Sequence, residues 1–357
     1  MQYTSGEVPA DVSRFIGTVM GRNHGRTHKA AVLATKTQQY ITAFSNQPNS
    51  SSLLWAAKLD HLLKEIEAAS TSDYVPLVSH DDDPFSQSPM DLLLQMDRDG
   101  ASFFMKSLRI LSEIYASKME TLIHGELDAS NILFRERRDD DAMDGDGPAG
   151  IALKVVDFEG CRFGAAGVDL GMFLGSFVSF YAAHSLSAPR RNLLGQVAAV
   201  IDAYRVSFRI QFEATSRKIG PAAASATARD LDTVLQNILA DAVGIAAAAV
   251  LLQAIEPDPQ QPHGKTAGEN HLERVLGCNW GDVTGKQRSV RRRMVRIAGQ
   301  LLQLFLLHQQ RSVQSPAPLS PAVAPSPPSI SADSVVKALR MDDVWLSSDH
   351  YTEFWSI

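Results

Sequence analysis

Two short runs rich in apolar and β-branched residues, Ile132-Leu133-Phe134 and Ala152 to Phe158, sit in a chain whose apolar residues otherwise recur at helical spacing. Between them lies Arg135 to Gly150, charged and glycine-containing, as a hairpin connection should be. An antiparallel hairpin brings residues distant in sequence together at one end. The predicted fold is therefore α+β, a mainly helical body with one embedded hairpin.

The helical part of that expectation rests on periodicity. Val12, Phe15, Ile16, Val19 and Met20 form one stripe over Asp11 to Met20, and Pro9 suits the first turn. Leu53 to Ile66 and Phe104 to Tyr115 show similar spacing on either side of an acidic loop with His80 to Asp83. Leu170 to Tyr181, then stretches near 193–212, 230–255 and 289–308, continue it. Ala242 to Ile255, the longest apolar run, is shorter than the ~20 residues a bilayer span needs and reads as a buried helix. Residues 1–310 are expected to form the body. Residues 311–334, rich in proline and serine, read as a linker without a packed element, and 335–357 as a C-terminal segment of open role.

With 45% hydrophobic and 21% charged residues among 357, the composition is that of a globular protein. A net charge of −6 gives no general attraction to nucleic acid or anionic lipid, so neither is an expected partner. Cys161 and Cys278 are too few for a disulfide framework, and Met1 to Val8 lacks an apolar signal region; a reducing, cytoplasmic setting is expected.

Chemistry concentrates at the hairpin's open end. His124-Gly125-Glu126-Leu127-Asp128-Ala129-Ser130-Asn131 precedes the first strand, and Asp157-Phe158-Glu159 ends the second. Phosphoryl transfer needs a carboxylate to orient the acceptor hydroxyl, an asparagine on magnesium and a further carboxylate bridging magnesium to phosphate. Glu126 and Asn131 stand five residues apart, the spacing of acid and metal asparagine in a kinase catalytic loop. The hairpin should bring Glu126, Asn131 and Asp157 onto one magnesium-phosphate group.

These segments resemble a known family. LIHGELDASNILF is similar to the catalytic loop of aminoglycoside phosphotransferase and choline kinase relatives. KVVDFEGCRFGAAGVDLGMFLGSFVSFY resembles the segment in methylthioribose kinases that runs Asp-Pro-Glu, a short glycine-containing loop, then Phe-Asp-Ile-Gly. Phe44-Ser45-Asn46 and Ala240 to Gly244 match more faintly, so the resemblance covers most of residues 5 to 255. It implies a protein kinase-like C-terminal lobe, with ATP and Mg2+ as cofactors and a small-molecule sugar as partner, S-methyl-5-thioribose first. A homodimer is one arrangement it allows. By resemblance Glu126 is the catalytic base, with His124 as loop-supporting histidine rather than a base. Asn131, Asp157 and Glu159 become metal or substrate-site ligands, and Asp169 the buried acid bracing the loop.

The sequence departs from that family in its catalytic loop, in the lobe that covers the nucleotide and in its substrate region. Glutamate stands at the catalytic aspartate position, and its extra methylene shifts the carboxylate by about 1 Å, a displacement that can cost ~100-fold. Asp128 replaces the usual histidine, while Asn131 fits the wider class better than the serine of methylthioribose kinases. The lobe that covers ATP, with its glycine-rich loop and strand lysine, is largely missing from the helical stretch before His124. Ala246 to Gln253 lacks the arginine pair that the family carries near its substrate. A non-catalytic binding or regulatory protein, and a phosphotransferase with another acceptor, are therefore the alternatives.

Weaker signals read as structure. Gly145 to Gly150 matches G-x-G-x-x-G but lies in an acidic connection, and Gly264-Lys265-Thr266 follows no strand. Asp139 to Asp146 misses calcium-loop spacing. Arg288, Arg291, Arg292, Arg293 and Arg296 read as helix-surface charge. His24, Arg26 and His28 read as cations suited to a helix C-terminus, with no chemistry assigned.

Overall fold

The structure is a computed structural model, and it describes residues 10–44, 50–71, 89–99, 102–136, 151–184, 187–255, 283–314 and 329–345. Five helices come first: α1 (Ala10–Thr27), α2 (Ala34–Phe44), α3 (Ser50–Thr71), α4 (Pro89–Asp99) and α5 (Phe103–Ser117). Four strands follow, β1 (Thr121–Ile123), β2 (Ile132–Glu136), β3 (Ile151–Val155) and β4 (Arg162–Gly164). Helices α6 (Gly167–Ala183), α7 (Ser187–Arg217), α8 (Pro221–Ile255), α9 (Val283–Gln314) and α10 (Ala332–Trp345) complete the described chain.

The expected hairpin is present as β2 and β3, paired antiparallel from Ile132↔Val155 to Glu136↔Ile151. A second small sheet was not anticipated: β1 pairs antiparallel with β4, Thr121 facing Gly164 and Ile123 facing Arg162. At three residues each, these strands are too short to show a two-residue period. Phe158, expected to end a strand, instead opens a 3-10 turn over Phe158–Gly160.

Two glycine rows set how closely the long helices approach. A Cβ on Gly17, Gly21 or Gly25 of α1 would lie 2.5, 2.5 and 2.6 Å from the carbonyl oxygens of Val200, Tyr204 and Phe208 on α7. The four-residue step is the same on both helices, so they run parallel with backbones nearly touching. Gly167 and Gly171 of α6 meet α8 likewise, a Cβ there falling 2.5 Å from Asp241 Cβ and 2.6 Å from the Ala242 carbonyl. Around these contacts Phe173, Phe177, Tyr181, Tyr204, Phe208 and Phe305 are fully buried. Each such side chain contributes about 1.5–3 kcal/mol by leaving water.

Residues 230–255 of α8 are long and apolar enough to cross a membrane, a longer stretch than the run Ala242 to Ile255; most of it is packed inside the protein, as expected of a buried helix. The segment expected as linker is partly helical, since α9 runs to Gln314 and α10 begins at Ala332. Residues 315–328 lie outside the described residues. Ser331 and Ser334 cap the start of α10 reciprocally, at 2.8 and 3.2 Å. Buried Val335 and Leu339, together with the bond from Tyr181 Oη to the Leu339 carbonyl (3.1 Å), dock α10 on the body. The aromatic residues Tyr351, Phe354 and Trp355 fall outside the described residues, as do His80 to Asp83, Asp139 to Asp146, the two glycine motifs, Ser45-Asn46 and Cys278.

Arg291, Arg292, Arg293 and Arg296 of α9 are buried or half-buried rather than surface charge. Arg292 is buried, and Arg293 donates to the carbonyls of Ala182 (2.8 Å) and His184 (3.2 Å), closing the C-terminal end of α6. They lie where α9 packs against its neighbours, so an apolar stripe further along the helix did not mark its whole contact face. The side chain of Arg288 lies outside the described residues.

Candidate metal-binding site

Strand β1 ends at Ile123, and the chain turns at Gly125, whose φ of +89° is a left-handed value that favours glycine. A side chain there would also collide, because a Cβ would sit 2.1 Å from the Gly160 carbonyl oxygen. The two glycines thus let the loop after β1 and the loop after β3 touch backbone to backbone. That contact brings Glu126 beside the second loop. Asp157 is itself left-handed (φ 66°, ψ 57°), which reverses the chain directly after β3 and leads it into the 3-10 turn.

As a result one carboxylate oxygen from each of Glu126, Asp157 and Glu159 lies within 4.8 Å of the other two. Glu126 is half-buried, while Asp157 and Glu159 are exposed. Three oxygen donors converging from two loops form the kind of set that binds hard divalent cations.

Asn131, also expected here, is held by the loop itself: its Nδ2 donates to the Glu126 carbonyl at 2.9 Å, which leaves Oδ1 as the atom able to face a cation. Asp128 has a structural task. Its Oδ1 accepts from the amides of Ser130 (2.7 Å) and Asn131 (3.2 Å), capping the 3-10 turn Ala129–Asn131 that leads into β2.

His124 points its Nε2 at the Val156 carbonyl (2.9 Å), so that nitrogen carries the proton and donates. Its ring packs on Phe158 with centroids 4.8 Å apart. The histidine is 6% exposed, and its Nδ1 has no hydrogen-bond partner among the described residues. Phe158 is 56% exposed, and so is Leu133 at 54%, leaving apolar surface beside the carboxylates.

Behind the loop, Asp169 at the start of α6 is 3% exposed and accepts from the amides of His124 and Gly125, both at 2.8 Å. His24 of α1 adds a third bond, Nε2 to Asp169 Oδ2 at 3.1 Å, and its Nδ1 meets Tyr204 Oη of α7 at 2.9 Å. Burial opposes ionisation of Asp169, yet the bonds from His24 and the two amides prevail and hold its carboxyl below the usual range. At the end of α1, His24 suggests a helix-end cation. It is instead 2% exposed and belongs to this brace. Being about 100 residues from the loop, it gave no local signal.

His28 departs from the same expectation. It is buried against Phe208 and Phe212, and burial lowers its pKa to about 4, so it is neutral near pH 7 and cannot act as a charge at a helix end.

A second buried charge group supports β1 from below. Lys118 pairs with Glu120 at 3.0 Å and also with Asp241, while Glu120 Oε2 accepts from the Ala166 amide at 3.2 Å. Burial opposes the charge on Lys118, but the two carboxylates outweigh it and hold the amine above its usual range. Burial pushes Asp241 up to about 6, with Lys118 opposing. Only Asp241 of this group was noticed in the sequence, as part of a faint family match.

Compared with models of known protein families and with curated proteins, the chain matches none of them.

Proposed function

We propose that this protein is a magnesium-dependent small-molecule kinase with a protein kinase-like C-terminal lobe, which transfers the terminal phosphoryl group of ATP to a sugar hydroxyl. S-methyl-5-thioribose is the first candidate acceptor. The observation that carries this reading is the convergence of Glu126, Asp157 and Glu159 within 4.8 Å, on two loops locked together at Gly125 and Gly160. Localisation in the cytoplasm accords with such a substrate.

An all-oxygen donor set fits Mg2+, which prefers carboxylates and keeps several waters. Asp157 and Glu159 would hold the ion, with Asn131 Oδ1 as a further donor. When bound, the ion supplies positive charge against the phosphate oxygens. Glu126 orients the acceptor hydroxyl and accepts its proton as the hydroxyl oxygen bonds to the terminal phosphorus and the bond to ADP breaks. Asp169 keeps Glu126 in place by fixing the amides just before it. Exposed Leu133 and Phe158 offer apolar surface to the uncharged parts of the substrates.

A second reading, a non-catalytic protein that binds a metal-phosphate group, is favoured by one observation. Among the described residues before Thr121 there are five helices and no strand, hence no strand lysine to cover the phosphates.

The test compares the unaltered protein with Glu126→Asp and Glu126→Gln for ATP-dependent phosphorylation of methylthioribose at saturating magnesium, alongside calorimetry on Asp157→Asn. For a kinase, Glu126→Asp raises turnover, Glu126→Gln abolishes it and Asp157→Asn loses magnesium-dependent ATP affinity. Magnesium-dependent binding without turnover in all three supports the second reading. ATP affinity independent of both magnesium and Asp157 sinks the site itself.

A further inference from the structure

Arg162 is the single lysine or arginine in the two stretches that carry the carboxylates, 121–131 and 155–164. It lies three residues after Glu159, and in the β1–β4 pairing it faces Ile123, three residues before Glu126. Its guanidinium sits over the Tyr115 ring, 4.2 Å from the ring centre, and its Nη2 donates to the Tyr115 carbonyl at 3.4 Å. Among the described residues no carboxylate forms an ion pair with it, so this half-buried charge is balanced by a ring face and a carbonyl alone.

Tyr115 belongs to the same arrangement, with Arg162 as the nearest group to its hydroxyl. It is 5% exposed, packs on Trp55 with ring centroids 4.4 Å apart, and its Oη has no hydrogen-bond partner among the described residues. A phenol buried in that state is stabilised by a group that accepts from it. Burial raises its pKa, Arg162 pulls it down, and Glu126 and Asp169 push it up again, which places the hydroxyl in the field of both the arginine and Glu126.

We propose that Arg162, laid on Tyr115 in the strand that follows Asp157 and Glu159, is a phosphate-positioning residue that binds an oxygen of the terminal phosphoryl group, with Tyr115 Oη as a second donor. The inference rests on the kinase reading above and deepens it. Three carboxylates outweigh one divalent ion, and a bound phosphate adds further negative charge, so the site needs a second cation whose position is fixed. Arginine suits the task because its planar fork matches phosphate geometry and is weakly hydrated; stacking on Tyr115 sets the plane in advance. Arg162 would thereby supply, from β4, a cation that Ala246 to Gln253 does not provide.

Calorimetry on the full chain tests this, with Mn2+ alone as the probe of the carboxylates and inorganic pyrophosphate plus Mg2+ as the probe of the anion subsite. Arg162→Gln is expected to weaken pyrophosphate by about tenfold or more while Mn2+ affinity stays within roughly twofold. Arg162→Lys, which keeps the charge and loses the fork, should fall between, and Tyr115→Phe should lose a few-fold with the ring stack intact. Pyrophosphate affinity unchanged in Arg162→Gln overturns the proposal. Should that variant fail to fold, unchanged affinity in both Arg162→Lys and Tyr115→Phe overturns it instead. An unaltered protein that binds Mn2+ but no pyrophosphate also overturns it and leaves the metal site standing, whereas absence of Mn2+ binding overturns the reading beneath it.

Discussion

Replacing Asp169 by asparagine keeps the side chain's shape and takes away one of the two oxygens that hold the loop before Glu126. In the native protein Oδ1 receives the Gly125 amide and Oδ2 the His124 amide, each at 2.8 Å. An asparagine must turn its NH2 toward one of them, leaving a buried amide facing another donor, a loss of about 1–3 kcal/mol. The bond that survives is no longer charge-assisted, which removes roughly 1 kcal/mol more. The expected loss is about 2–4 kcal/mol out of the ~5–15 kcal/mol typical of a folded protein. At roughly 3 °C per kcal/mol the melting midpoint should fall by about 10 °C. Urea denaturation at pH 7 measures the first figure, and Mn2+ titration of the folded variant should show weaker binding because Glu126 is no longer held. The pH dependence gives a further check. The folded carboxyl is held below its unfolded value of ~3.9, so its contribution is complete above that value and disappears as pH falls through the folded one. The asparagine variant should lack that acid-side loss. A stability change under about 0.5 kcal/mol would refute the argument that these bonds brace the loop.

Gly125→Ala should be worse for the metal than for the fold. Its left-handed φ costs an alanine about 1–2 kcal/mol, and the Cβ at 2.1 Å from the Gly160 carbonyl must push the two loops apart; Mn2+ affinity should drop at least tenfold, and a drop below twofold would mean the loops are not coupled. His28 makes stability fall on the acid side. Its pKa is lowered from 6.5 to about 4, so the contribution is full above ~6.5 and is lost as pH descends toward 4, a change of about 3 kcal/mol at most. His28→Phe, seated between Phe208 and Phe212, should flatten that slope in denaturation curves recorded from pH 7 to pH 4.

What could be read in the sequence was whatever repeats along the chain. Helices α1, α3, α5, α6, α7, α8 and α9 follow stripes of apolar residues, and the β2–β3 hairpin follows two β-branched runs. Helices α2 and α4, eleven residues each, were not anticipated; α2 has no buried residue and therefore needs no apolar stripe. The carboxylates of the site were visible because they lie in two compact segments, Glu126 in one and Asp157 with Glu159 in the other. Their support was not. His24 and Tyr204 come to the brace behind the site from separate helices, and single-sequence reading registers spacing along the chain rather than proximity across it. The glycines at 125 and 160 could have been noticed, since a glycine next to each carboxylate-bearing motif is what two touching backbones require.

The parallel contact between α1 and α7 has a consequence for how the site comes into being. His24 meets Tyr204 across 180 residues of sequence, and the glycine row of α1 has nothing to lie against until α7 exists. On a ribosome adding ~5–20 residues per second, the first helix therefore waits roughly 10–40 s for its partner. By the end of that interval the loop around Glu126 and Asp169 has been made, while the helix that carries His24, which helps keep Asp169 ionised, has yet to meet α7. The brace behind the site is thus completed only when an early helix docks on a segment made 180 residues later.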